Sequence, residues 1–175
     1  MRLKGKRMYL FVEDMYQEHE FWYPFFRLKE EGAQVMVVAP EKGREYKSKL
    51  GIPVVSDAAA RAVDAKDCAG IVIPGGYSPD LMRRDPAMVK LVAEAFDQGK
   101  IVAAICHAPW MLASADILRG RRCTSFFSVK DDLIHAGADW VDEEVVVDGN
   151  LITSRKPDDL PAFMRAVIGA VEKTA

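Results

Sequence analysis

Ile101-Val-Ala-Ala-Ile-Cys-His-Ala-Pro-Trp110 is an apolar run that stops abruptly at a thiol and gives way to a helix-like segment. Ile101 to Ile105 has no polar face, as expected of a central strand buried on both sides. A strand that delivers Cys106 to a sharp turn before a helix places the sulfur where backbone N–H groups and the positive helix end favour its anion. The small residues Ala104 and Ala108 suit a nucleophile elbow, which crowds its own backbone. This stretch therefore predicts both a fold and a reactive, exposed, low-pKa cysteine.

Apolar runs alternate with helical patterns on either side of this stretch, the signature of a parallel sheet covered by helices on both faces. Met8 to Val12 reads as the first strand, and Glu18 to Glu31 as a helix whose Phe21, Phe25 and Leu28 recur at helical spacing. Gln34 to Ala39 and Ala69 to Ile73 are the next strands, with an irregular or short antiparallel excursion expected at Tyr46 to Val55. A helix from Pro86 to Gln98 leads into the central strand. Beyond Cys106 the chain reads as a helix to Ala115, a short strand at Cys123 and Thr124, and a helix from Ser128 to Ala136. Val145 to Ile152 forms a hairpin around Asp148-Gly149. The last helix opens on Asp158 and Asp159 and turns Leu160, Phe163, Met164, Val167, Ile168 and Val171 inward.

With 175 residues and half of them apolar, the chain suits one domain spanning 1–175. Its net charge of −2 and lack of long Lys/Arg blocks give no electrostatic case for nucleic acid. Met8 to Val12 is too short for a membrane span or a signal core, so a cytoplasmic protein without membrane partners is expected. Cys68, Cys106 and Cys123 form no C-x-x-C pair and read as reduced thiols, the first and last inert. No spacing of His, Cys and carboxylates suits a metal, and neither a dinucleotide fingerprint nor a phosphate loop occurs, so no cofactor is expected.

In an open parallel sheet the loops at the carboxyl ends of the strands meet at one crevice. Here they carry Glu13-Asp-Met-Tyr-Gln-Glu-His-Glu20, Pro74-Gly-Gly-Tyr-Ser-Pro-Asp80 and Cys106-His107. Gly75 and Gly76 can turn N–H groups toward a developing oxyanion, with the N–H of His107 as partner. His107 follows the nucleophile directly, and whether its ring reaches Sγ is a question of geometry. His135 reads as a surface residue on a charged helix, while His19 between Glu18 and Glu20 stays open.

The Cys106-His107 elbow, the Pro74-Gly-Gly turn and Thr153-Ser-Arg155 together make the chain resemble the PfpI-type intracellular protease family of the DJ-one/PfpI superfamily. The resemblance extends through Glu20-Phe-Trp-Tyr-Pro24, Arg27-Leu-Lys-Glu-Glu-Gly32, Ala103-Ala-Ile-Cys-His-Ala-Pro109 and Asp148-Gly-Asn-Leu-Ile-Thr-Ser-Arg155, from the first strand to about Ile168. It implies a flavodoxin-like three-layer α/β sandwich related to class I glutamine amidotransferases. It also implies that Cys106 is the nucleophile and that Glu20, four residues before Pro24, sits against its sulfur. A protonated Glu20 donating to sulfur would stabilise the thiolate, whereas an ionised one would repel it.

The protease type further brings an acid from the Pro-Gly-Gly loop of a neighbouring subunit to the histidine. Asp80 holds that position, which implies a homo-oligomer whose site is shared. The chain departs from the pattern in three places: Asp80 is one methylene shorter than the usual glutamate, Ala108 replaces a glycine, and Phe126 stands where another branch keeps a second histidine. The function expected first is a peptidase or hydrolase acting on an electrophilic carbonyl of a peptide or protein. A cofactor-independent glyoxalase or deglycase acting on small 2-oxoaldehydes and their protein adducts stands close beside it. An oxidation-sensing stress protein or holdase is the non-enzymatic possibility.

Overall fold

The computed structural model describes residues 1–174. In chain order the elements are β1 (Arg7–Phe11), α1 (Glu18–Glu30), β2 (Gln34–Ala39), β3 (Glu45–Lys47), β4 (Pro53–Val55), β5 (Ala58–Ala59) and β6 (Gly70–Ile73). They continue with α2 (Ser78–Met82), α3 (Pro86–Asp97), β7 (Ile101–Ile105), α4 (Pro109–Ser114), β8 (Arg122–Cys123) and α5 (Lys130–His135). The chain closes with β9 (Asp139–Trp140), β10 (Val145–Asp148), β11 (Leu151–Ser154) and α6 (Leu160–Glu172).

The main sheet runs in the order β10-β11-β7-β6-β1-β2-β5. Every pair in it is parallel except β10 with β11. The chain enters at β1, pairs outward to β2, then crosses over to β6 on the opposite side of β1. This reversal lies between β1 and β6, the switch point at which the loops leaving neighbouring strand ends run to opposite sides of the sheet.

Alternation along the buried strands divides the core into two halves. Leu10, Ala103 and Ile105 pack toward Phe21 and Leu28 of α1 and Phe163, Met164 and Val167 of α6. Tyr9, Phe11, Val102 and Ala104 point the other way, toward Met88, Leu91 and Val92 of α3 and Met111 and Leu112 of α4. Successive side chains leave a strand on opposite faces, so a strand covered on both sides must be apolar at every position. All five residues of β7 meet that demand, and the layers are helix, sheet, helix.

Local signals account for the helices that frame the site. The Gln17 side chain caps α1 by accepting the N–H of Glu20, acidic residues fill the first turn, and Arg27 and Lys29 fill the last. Asp85 caps α3 through the N–H of Ala87, with Pro86 in the first turn, where its missing N–H does no harm.

The irregular stretch expected after β2 is a two-stranded antiparallel ribbon, β3 with β4. Three details differ from the sequence expectations. The helix expected from Ser128 begins as a 3-10 turn over Phe127–Val129 and becomes α-helical only at Lys130. Asp158 and Asp159 lie in a 3-10 turn before α6, because the Asp159 carboxylate is held by Arg155 at 2.8 and 3.2 Å. β5 and β9 are two-residue strands, too short for any periodicity to announce them. No helix among the described residues is long and apolar enough to cross a membrane.

Candidate active site

Three strand ends build the site. The loop after β1 leads into α1, whose third residue, Glu20, is wholly buried. The loop after β6 is Pro74-Gly75-Gly76, and β7 ends at Cys106. Tyr16 ties the first two loops together by single bridges to Gly76 and to Ser48 at the end of the β3 strand.

Both glycines are required, for different reasons. A Cβ on Gly76 would fall 2.5 Å from the Met15 carbonyl, and the residue has φ 81°. A Cβ on Gly75 would fall 2.6 Å from Glu20 Oε2 and 2.7 Å from Cys106 Cβ. Gly75 is thus the gap through which the carboxyl and the nucleophile approach each other.

Cys106 is in the left-handed backbone region, φ 66°, which disfavours residues with a Cβ and persists only where the surroundings hold it. They do: its N–H donates to the Ser154 carbonyl of β11 at 3.1 Å, and its own carbonyl accepts the Phe126 N–H at 2.9 Å. The elbow expected from the sequence is present. The adjacent ring also reaches the sulfur, with His107 Nδ1 3.2 Å from Sγ. Phe126 stacks on that ring at 5.2 Å and 22°, and Trp110 meets it edge-on at 5.2 Å and 71°.

The electrostatics correct the expectation of an exposed, low-pKa thiol. Cys106 is only 8% exposed, and its pKa is pushed up to about 12, first by burial and then by the charge of Glu20, against the opposing help of the Gly76 and His107 N–H groups. Glu20 is itself raised to about 7 by burial, although the Gly75 N–H and the thiol favour its ionised form. Two like-charged groups that share a dry site cannot both ionise readily. His107 is held below its ordinary value by burial and then by the Lys49 cation, so its ring is neutral near pH 7.

Glu20, Cys106, His107, Gly75 and Gly76 therefore come together. The Gly75 N–H, expected to serve an oxyanion, donates instead to Glu20 Oε2 at 2.8 Å, which leaves the N–H groups of Gly76 and His107 facing the sulfur. Glu20 Oε1 is buried and has no hydrogen-bond partner among the described residues. Asp80 is not brought to His107 within the chain; it lies on α2 and pairs with Arg84. The other acids of the first loop hold backbone, Glu13 the Asp14 N–H and Glu18 the Leu50 N–H. His19 shares a hydrogen bond with Gln17 and, like His135, is exposed. Cys68 and Cys123 are buried and pushed up to about 12 by burial. Among the described residues no group of three or more His, Cys, Asp or Glu is arranged to hold a metal ion.

Sequence reasoning missed Ser128, whose Oγ lies 3.2 Å from His107 Nε2. A serine in a 3-10 turn has no spacing signature, and only the fold of the Phe126–Val129 segment reveals it.

The chain is similar to known proteins over most of its length. The model of the DJ-1/PfpI family matches residues 6–170. A deglycase of Pyrococcus abyssi is 44% identical over 162 residues, covering 93% of this chain and 97% of its own length. The deglycase PfpI of Pyrococcus furiosus is 42% identical over 153 residues, covering 87% and 92%. A solved two-domain protein of Anabaena variabilis, with DJ-1/ThiJ/PfpI-like and ferritin-like domains, superposes with a TM-score of 0.93 at 42% identity, over 94% of this chain and 48% of that one.

Proposed function

The chain belongs to the DJ-1/PfpI family, and from that premise we propose that it is a cysteine-nucleophile deglycase that acts on 2-oxoaldehydes and their adducts with proteins. The contact of Sγ with His107 Nδ1 at 3.2 Å, beside a buried carboxyl whose pKa is near 7, carries this reading. Above about pH 7 the Glu20–Cys106 pair holds one proton. In the reactive arrangement that proton is on Glu20 and is donated to sulfur, while the Gly76 and His107 N–H groups face the thiolate.

The sulfur adds to the aldehyde carbon: an S–C bond forms, and the carbonyl π pair becomes an oxyanion beside the same two N–H groups. A proton reaches that oxygen and gives a thiohemiacetal. The hydrogen on the former aldehyde carbon then leaves as a proton and returns at the neighbouring ketone carbon, with His107 as the base within reach. One carbon is oxidised to a thioester as its neighbour is reduced to an alcohol, so the redox change is internal. Water cleaves the S–C bond, releasing a 2-hydroxy acid and the thiol. When the aldehyde carbon arrives already bound to a protein amine as a hemiaminal, the S–C bond forms at that carbon as its C–N bond breaks, the amine leaves with a proton, and the same thiohemiacetal results.

The peptidase reading that the sequence favoured first takes second place. A sulfur in a residue 8% exposed admits a small carbonyl more readily than a polypeptide backbone, and the two curated relatives compared above are named deglycases. The test compares wild type with Cys106→Ala on methylglyoxal, a methylglyoxal-treated peptide and an unmodified peptide substrate. Turnover of the first two that disappears in the variant supports the proposal. Turnover confined to the unmodified peptide, or methylglyoxal consumption that survives the substitution, refutes it.

A further inference from the structure

We propose that Ser128 is the positioning residue for His107, supplying from within the same chain the acceptor that fixes the ring's tautomer and orientation. The inference rests on the proposed role of His107 and deepens it.

A neutral imidazole carries a single N–H, so its two nitrogens divide the tasks of donor and acceptor. Nδ1 faces Sγ and Nε2 faces Ser128 Oγ, each at 3.2 Å. If Ser128 accepts from Nε2–H, the Nδ1 lone pair points toward the sulfur and can take the hydrogen that leaves the sulfur-bound carbon as a proton. Ser128 is exposed, so its own O–H can donate to water while Oγ accepts from the ring. The imidazolium formed by proton transfer keeps the same contact, now to a cation, and hydrogen bonds to charged groups are the stronger kind.

Phe126 against one face and the edge contact of Trp110 hold the plane of the ring. They do not distinguish the ring from its 180° flip, which would set Cδ2 rather than Nδ1 against sulfur. Ser128 makes that distinction, because only the observed orientation offers it a nitrogen. One short segment therefore performs three tasks: the Phe126 N–H grips the carbonyl of Cys106, the Phe126 ring supports the imidazole, and Ser128 selects its orientation. Asp80, tied to Arg84, does not perform this task within the chain.

The experiment uses Ser128→Ala and Ser128→Thr in the full chain, each checked for an unchanged thermal midpoint. The 15N shifts of His107 report its tautomer, alkylation of Cys106 reports the thiol, and kcat and KM are measured on methylglyoxal. Wild type is expected to hold the Nε2–H tautomer. The alanine variant should show a tautomer mixture and a kcat lower by about 10-fold with KM unchanged, as expected for a group that acts through the proton carrier. Threonine should restore both. An Nε2–H tautomer retained in Ser128→Ala together with wild-type kcat would overturn the proposal, as would a threonine variant no better than alanine. Were methylglyoxal turnover absent in wild type, the substrate reading would fail alone, because the tautomer and alkylation measurements still decide the role of Ser128.

Discussion

Replacing Glu20 with Gln should stabilise the protein in a pH-dependent way. Glu20 is wholly buried, and its carboxyl is raised from an ordinary 4.5 to about 7, chiefly by burial. A folded state that binds its proton more tightly than the unfolded chain is favoured at low pH. That advantage is complete below about 4.5 and is lost as pH rises through about 7. At about 1.4 kcal/mol for each tenfold change in proton affinity, the difference amounts to about 3 kcal/mol. Glutamine keeps the shape and the oxygen that accepts the Gly75 N–H but cannot ionise. The variant and wild type should therefore be about equally stable at pH 4.5, with the variant ahead by about 3 kcal/mol at pH 8. Urea denaturation at four pH values between 4.5 and 8 measures this, with the slope of each transition checked for constancy. Alkylation of Cys106 should lose its step near pH 7 in the same variant, because the step belongs to the pair. A stability difference that does not vary with pH, or a variant weaker than wild type at pH 8, would refute the reasoning.

Gly75→Ala should cost about 1–3 kcal/mol and suppress turnover, because its new methyl group would fall within 2.7 Å of both Glu20 and Cys106; a variant with wild-type melting and kcat would show the gap to be dispensable. In the native protein only one of the three thiols should react with an aromatic disulfide reagent on the minute timescale, and mass mapping should place it at Cys106. Cys68 and Cys123 are raised as far by burial but lack the Glu20 partner, so their modification at a similar rate would show that the pair gives Cys106 no advantage.

Much of this was legible in the sequence because the strongest signals are periodic or abrupt. The all-apolar Ile101 to Ile105 could only be a covered strand, and its sudden end at Cys106 marked the elbow. Phe21 and Leu28 at helical spacing gave the first helix. The meeting of Glu20 with Cys106 was legible by resemblance, since 86 residues separate the two and no local rule connects them. Other features depend on three-dimensional circumstance. The raised pKa of Cys106 follows from burial and from a neighbour's charge, neither of which composition encodes. The commitment of the Gly75 N–H to a carboxylate, and the reach of Ser128 to an imidazole, are matters of a few ångströms between loops. Two-residue strands such as Ala58–Ala59 carry no pattern at all.

The left-handed turn beneath the sulfur restricts which other nucleophiles the scaffold could adopt. At a positive φ a β-branched side chain is strained far more than an unbranched one. Serine could replace the thiol with little backbone penalty, but threonine could not. Attempts to re-engineer this scaffold toward oxygen chemistry would thus have to begin from serine, with the backbone itself acting as the filter on the choice.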